Sequence, residues 1–222
     1  MDLMVLVGSA AQFTQNAGTI NAFGGSNGAH GLAFTQANAQ FNQTGGALSA
    51  SGGSGNNAYG VNFANTGLFT QSGGSVVATG GTGANAYGMN FSFGADYTQS
   101  AENMLDVIGG SGANAYGINT AGILALENGS TLAPVVDLSN ANDNEAAGLI
   151  KHLGSNINLG GTVKLDPVFK NVSSQSMNTP RTIRFIEDAS AIGYTFDYDG
   201  TLKLNAVAEV YSGDNKVYVL TL

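Results

Sequence analysis

A unit of 28 residues is written four times in this chain and begun a fifth. Phe13-Thr14-Gln15, Phe41-Asn42-Gln43, Phe69-Thr70-Gln71 and Tyr97-Thr98-Gln99 start at that interval, and Ala125-Leu126-Glu127 is a degraded copy one interval further on. Self-similarity at a fixed period constrains a fold more strongly than local propensity does. Each copy continues through a Gly-containing link and a short apolar alternation: Ile20 and Ala22, Leu48 and Ala50, Val76 and Ala78, Leu105 and Val107. An apolar residue, a spacer and a second apolar residue mark a strand with one buried face. Gly24-Gly25, Gly52-Gly53, Gly80-Gly81 and Gly109-Gly110 follow, placed for positive φ and a sharp corner. A second strand candidate comes next, His30 to Phe34, Tyr59 to Phe63, Tyr87 to Phe91 and Tyr116 to Thr120, with Leu32, Val61, Met89 and Ile118 facing inward. A third leads through Phe13, Phe41, Phe69 and Tyr97.

About three short strands in a unit of this length, with no helical stretch, fit one coil of a parallel β-helix rising about 4.8 Å per coil. Stacking then aligns Leu48, Val76 and Leu105 in one column. It also aligns two amide ladders, Asn57 with Asn85 and Asn114, and Asn62 with Asn90 and Asn119. Separate hairpins would use the Gly-Gly turns equally well, but would not explain why the whole unit recurs. The expected fold is all-β: a right-handed parallel β-helix (solenoid) with coils of about 28 residues and a β-rich C-terminal cap. Residues 1–140 form the repeat β-helix, and residues 141–222 the terminal rungs and cap. Within that cap, residues 144–153 read as one short helix, capped by Asp143 or Asn144 and stopped by Gly154. Strands are expected at 161–165, 182–187, 192–197, 202–207 and 217–222, with hairpin turns at 199–200 and 212–215.

Charge narrows the function classes. Only 10 % of the 222 residues are charged, and no Lys or Arg precedes Lys151. The repeats therefore carry no cation for a phosphate backbone or an anionic membrane surface. Cysteine is absent, which removes disulfides, thiolate nucleophiles and Cys-based metal sites. The apolar stretch from Met1 to Val7 lacks the length and basic leader of a secretion signal, and no apolar run is long enough for a membrane-spanning helix.

The repeated Phe-Thr-Gln-Ser-Gly-Gly-Ser-Val-Val-Ala-Thr-Gly-Gly of 69–81 and the Asn-Ala-Tyr-Gly segments resemble the passenger (β-helix) portion of bacterial autotransporters and related secreted surface adhesins. The likeness covers roughly residues 13–140. It implies an extracellular or bacterial cell-surface location. It also implies a non-enzymatic role in adhesion or surface structure, with other rods, host or matrix glycans, or protein surfaces as partners.

Few residues suggest chemistry. His30 takes the slot filled elsewhere by Tyr59, Tyr87 and Tyr116, and reads as a structural substitution. His152 reads as cap packing, and neither has a second His for a metal. Asp96, Glu102, Asp106 and Glu127 are the carboxylates that could serve a glycan hydrolase or lyase, or bind Ca²⁺. Glycoside hydrolysis needs a pair of acids about 5–9.5 Å apart. The Gly-rich segments lack the Asp of a Ca²⁺-binding nonapeptide and the Lys of a phosphate loop. No soluble cofactor, metal or nucleic acid is expected. Tyr59, Tyr87 and Tyr116 are the candidate binding residues, as an aromatic strip for sugar rings or another rod. The competing reading is a corner-packing stack. The expected function is a surface rod without enzymatic activity. A self-assembling filament or surface-layer subunit and a glycan-acting β-helix hydrolase or lyase are the alternatives.

Overall fold

The computed structural model describes residues 9–26, 30–92, 94–100, 104–111, 114–127, 129–132, 135–137, 145–153, 157–160, 162–165, 168–170, 182–188, 195–197, 206–212 and 215–221. They form a β-solenoid of parallel strands, with no helix among them. Phe13 pairs with Phe41, Phe41 with Phe69 and Phe69 with Tyr97, one coil apart each time. Ile20, Leu48, Val76, Leu105 and Leu132 form the second interior column, and Leu32, Val61, Met89, Ile118 and Ile150 the third. A residue in one coil thus meets its own equivalent above and below. That is why a 28-residue period in sequence becomes a continuous core in space.

The first and fourth coils show the three short strands that the repeat suggested, Gln12–Gln15, Thr19–Phe23 and Leu32–Phe34 and then Ala95–Gln99, Met104–Ile108 and Ile118–Thr120. In the second and third coils the Phe-x-Gln segment and the apolar alternation after it are one bent strand, Ala39–Ser51 and Gly67–Thr79. The Gly-containing link is a bulge inside that strand, where the register shifts between Gln43 and Ala47. Gly18, Gly46 and Gly74 take φ near +74 to +80° at this corner, so the positive φ expected of the Gly-Gly pairs sits here instead. Gly53, Gly81 and Gly110 are needed for a different reason. A Cβ on any of them would lie 1.8 Å from a carbonyl oxygen of the previous coil.

The corner is held from inside by glutamine. Period-two alternation puts Gln15, Gln43, Gln71 and Gln99 on the same inward face as the aromatic two residues before, and all are buried. Their amides reach the carbonyls beside the bend. Gln15 Nε2 donates to Gly18 O and Ala47 O at 3.2 and 3.0 Å, Gln43 Nε2 to Ser75 O at 3.0 Å and Gln71 Nε2 to Gly74 O at 3.2 Å. A bulge interrupts the backbone ladder, and the buried side-chain amides supply hydrogen bonds to the carbonyls around it.

Tyr97 extends this arrangement, because its hydroxyl donates to Gln71 Oε1 at 2.7 Å, while burial pushes its acidity well below that of a free phenol and keeps the proton in place. One coil earlier the aromatic is Phe69, and Gln43 Oε1 is buried without a hydrogen-bond partner. Tyr97→Phe is expected to cost about 1 kcal/mol. Phe69→Tyr is expected to be neutral or to gain up to about 1 kcal/mol by giving Gln43 a donor. Urea unfolding of both variants checks the pair, and equal losses would refute the assignment.

The C-terminal part corrects one expectation. The helix expected at 144–153 is not formed by the described residues 145–153: Glu145–His152 is a strand between Ile118–Thr120 and Thr182–Asp188. Ile150 is buried in register with Ile118, so long-range pairing outweighs the local helix signals. Parallel pairing continues beyond residue 140 with a longer spacing, Leu124 opposite Ile157 and Leu132 level with Leu165 through Thr131 and Lys164. The eight-stranded sheet then closes on antiparallel strands Ala206–Ser212 and Asn215–Thr221, with Ser212 opposite Asn215 as the expected hairpin requires. Strands expected at 161–165, 182–187 and 192–197 appear as Thr162–Leu165, Thr182–Asp188 and Thr195–Asp197; of the one expected at 202–207, residues 206 and 207 belong to Ala206–Ser212 and residues 202–205 lie outside the described residues. The turn at 199–200 lies outside the described residues.

Candidate functional site

The Asn-Ala-Tyr-Gly segment sits at the outer corner between the bent strand and the short one. Ala58 and Ala86 point inward and are fully buried, which turns the residues on either side outward. Gly60 and Gly88 then pass within contact of carbonyls from three other segments, where a Cβ would meet oxygen at 2.6–2.9 Å. The tight passage fixes the backbone and places each tyrosine above its equivalent.

The result is one column of stacked rings. His30 and Tyr59 have centroids 4.8 Å apart, Tyr59 and Tyr87 4.9 Å, and Tyr87 and Tyr116 5.4 Å, with planes within 15° of parallel. The Lys151 ammonium ends the column, 4.9 Å from the Tyr116 centroid and donating to its hydroxyl at 3.2 Å. Tyr59 and Tyr87 therefore have both ring faces covered, while Tyr116 stacks on Tyr87 with one face and holds the ammonium at its hydroxyl end. A sugar ring stacking on a tyrosine needs a free face, so edges and hydroxyls are what Tyr59 and Tyr87 offer a partner. Burial raises the phenol pKa of Tyr59. For Tyr87 burial is again the main cause, with Tyr59 and Tyr116 adding to it and Lys151 opposing.

Two amide ladders flank the rings. Asn85 donates to Asn57 and Asn114 to Asn85, both at 2.9 Å, on an exposed line joined by backbone bridges. Asn90 donates to Asn62 and Asn119 to Asn90, also at 2.9 Å, on a more buried line. The sequence spacing named both ladders. Each link contributes about 0.5–1.5 kcal/mol net and disfavours a slip of one coil against the next. Removing a ring is therefore a stability change first. Tyr87→Ala is expected to cost about 2–3 kcal/mol, since the ring is only 9 % exposed and stacks on two neighbours. Thermal melting measures this, and unchanged melting together with lost binding to a partner would show that the rings serve a ligand instead.

His30 fits the column as a ring but not as a charge. Its Nδ1 is buried without a partner, and burial lowers its pKa below 6.5. The folded state thus binds this proton less readily than the unfolded chain, so its stabilising effect is complete above pH 6.5 and is lost as pH falls through the lowered value. His30→Tyr is expected to flatten the fall in melting temperature between about pH 7.5 and about pH 5. An unchanged slope would place the titration elsewhere.

The carboxylates do not gather. Asp96 accepts from the Ile123 backbone N–H at 2.8 Å, in register with Leu68, while Asp106 is in register with Val77 on the other arm of the bent strand. Nine positions at about 3.3 Å each separate those registers along the chain, and the bend between them leaves the carboxyls well beyond a hydrolase pair. Glu127 is exposed at the far end of the Asp96 arm, and Glu102 lies outside the described residues. Burial raises the pKa of Asp106, Lys170 partly countering it, and its Oδ1 is buried without a hydrogen bond. Among the described residues no group of three or more His, Cys, Asp or Glu is placed to hold a metal ion. His152 ends the strand Glu145–His152, and its side chain lies outside the described residues. Comparison with known protein families, characterised proteins and solved structures gives no match for this chain.

The buried glutamine column and the Tyr97 hydroxyl were not singled out from the sequence. Phe-x-Gln is itself the missed signal: two residues apart in a strand means one shared face.

Proposed function

We propose that this chain is a non-enzymatic extracellular rod that serves adhesion or cell-surface structure. The observation that carries the reading is the uninterrupted columns: rings, amides and core residues repeat coil after coil without a break where a reaction centre would be built. Such a lattice gives length and stiffness and repeats the same weak contact at about 4.8 Å steps, which favours extended or multivalent partners. The low charge of the repeats and their likeness to autotransporter passengers support the extracellular placement. The tyrosine edges and the exposed Asn57–Asn85–Asn114 ladder are the surface best suited to a glycan or protein partner, through hydrogen bonds rather than ring stacking.

Binding of the purified chain to arrays of glycans and matrix proteins tests this, alongside turnover assays on soluble polysaccharides with and without Ca²⁺. The expected result is binding that weakens in Asn85→Asp with no release of reducing or unsaturated ends. Catalytic release of sugar products would overturn it in favour of a glycan-acting enzyme.

A further inference from the structure

The exposed amide ladder has a polarity. Asn85 donates to Asn57 and Asn114 to Asn85, each through one N–H of its side-chain amide. The acceptor at the middle rung is spent, because Asn85 Oδ1 takes the Asn114 amide at 2.9 Å and the Tyr87 hydroxyl at 3.4 Å. A primary amide carries a second N–H, and planar geometry turns it away from the ladder when the first lies along it. Among the described residues the second N–H groups of Asn57, Asn85 and Asn114 meet no acceptor. The corner therefore shows solvent a row of N–H donors, one to a coil.

The row is in place before anything binds. Backbone bridges join Asn57 to Asn85 and Asn85 to Asn114, and the loops pack so closely that a Cβ on Gly83 would collide with Gly55 O. Ser54, Thr82 and Ser111 are exposed on the same corner loops and repeat a hydroxyl at the same interval, each with its backbone N–H bonded to the coil before. A partner thus finds its hydrogen-bonding groups already ordered, and little entropy is lost in arranging them.

The step of the row selects the occupant. Tyr59, Tyr87 and Tyr116, two residues along from the amides, recur at 4.9 and 5.4 Å from coil to coil. An extended peptide advances about 3.3 Å per residue and returns a carbonyl to one edge at every second residue, so it runs out of step with the coils. A nucleic acid brings a charge with every phosphate, and no Lys or Arg precedes Lys151. A β-1,4-linked glycan in its extended ribbon form advances one sugar in close to the coil step and carries acceptor oxygens along both edges.

We infer that the Asn57–Asn85–Asn114 row binds a neutral, extended β-1,4-linked glycan laid along the rod axis, one sugar to a coil, with each amide donating to a sugar oxygen. No Asp, Glu, Lys or Arg lies between Asp2 and Asp96, so an uncharged glycan leaves no charge unpaired there and an acidic one gains no counter-charge. The inference rests on the proposed reading of the rod as a binding surface and names the ligand class for that surface.

Isothermal titration of the full 222-residue chain with cellohexaose, cellobiose, maltohexaose and a β-1,4-linked mannuronate hexamer tests the proposal. Cellohexaose is expected to bind at least about 10-fold more tightly than each of the others, since cellobiose spans too few rungs, maltohexaose curls and the mannuronate is charged. Asn57→Asp keeps the oxygen that accepts from Asn85 and removes only the outward donor, so it should weaken cellohexaose about 3- to 10-fold with unchanged circular dichroism. Thr70→Ala, on the bent strand, should leave binding unchanged. In the unmutated chain, cellohexaose should shift the side-chain amide resonances of Asn57, Asn85 and Asn114, a readout that needs no variant. No binding of cellohexaose, equal binding of maltohexaose or of the mannuronate, or amide resonances that stay in place would each overturn the proposal. Binding to matrix proteins but to none of these glycans would overturn it and leave the rod function standing. Cellohexaose held at these amides and then cut would support the glycan row and overturn the non-enzymatic reading.

Discussion

Gly81→Ala is expected to abolish cooperative folding of the rod, or to cost at least about 4 kcal/mol if the chain still folds. A Cβ at this position would lie 1.8 Å from Gly53 O and 2.7 Å from both Gly52 C and the Ala58 Cβ. Three of these are not flexible side-chain ends that could swing away. Two are backbone atoms of the previous coil and the third is a fully buried methyl, so relief requires the coils to separate and their ladder to break. The effect should also spread, because Gly53 and Gly110 repeat the same approach one coil on either side. Gly18→Ala is the control. Gly18 has φ +74° with nothing within 4 Å of the added methyl, so only the left-handed backbone is penalised, by about 1–2 kcal/mol. Melting of both variants separates contact from conformation. A Gly81→Ala protein no less stable than Gly18→Ala would mean the coils are not packed at this spacing.

Phe63→Ala should be the most damaging of the simple core truncations, at about 4–5 kcal/mol. Phe63 links two aromatic columns, with ring centroids 4.4 Å from Phe34, 5.3 Å from Phe91 and 6.3 Å from Phe69. Each such pair adds about 0.5–1.5 kcal/mol to the burial of the ring itself. Phe13→Ala removes the same chemistry from the half-open first coil, where only Phe41 stacks on it at 5.4 Å, and should cost clearly less. Denaturant unfolding of the two variants gives the comparison. Equal losses would show that Phe13 in the first coil is as enclosed as Phe63 in the second.

Much of this architecture was readable because the repeat makes each residue predict its own neighbour. Leu48, Val76 and Leu105 could be placed in one column, and Asn57, Asn85 and Asn114 in one ladder, from spacing alone; the structure pairs them so. The reading weakened wherever the period did. Glu145–His152 carries an Ala-Ala-Gly-Leu-Ile run that locally suggests a helix, and only its edges with Ile118–Thr120 and Thr182–Asp188 make it a strand. The tyrosines were legible as a column but not as a closed one. Whether ring faces or ring edges meet solvent depends on the tilt of each ring against the next, which spacing does not contain.

The sequence by itself determined the coil length, the inward residues and the order in which they stack, because periodicity is a property of the chain and survives any choice of turn. The tertiary structure alone decided which glycines bend the backbone and which admit a neighbouring carbonyl, and that buried glutamines hold the corner. Those outcomes depend on distances between coils, where a few tenths of an ångström separate contact from collision, and distances of that kind arise only when the chain is wound upon itself.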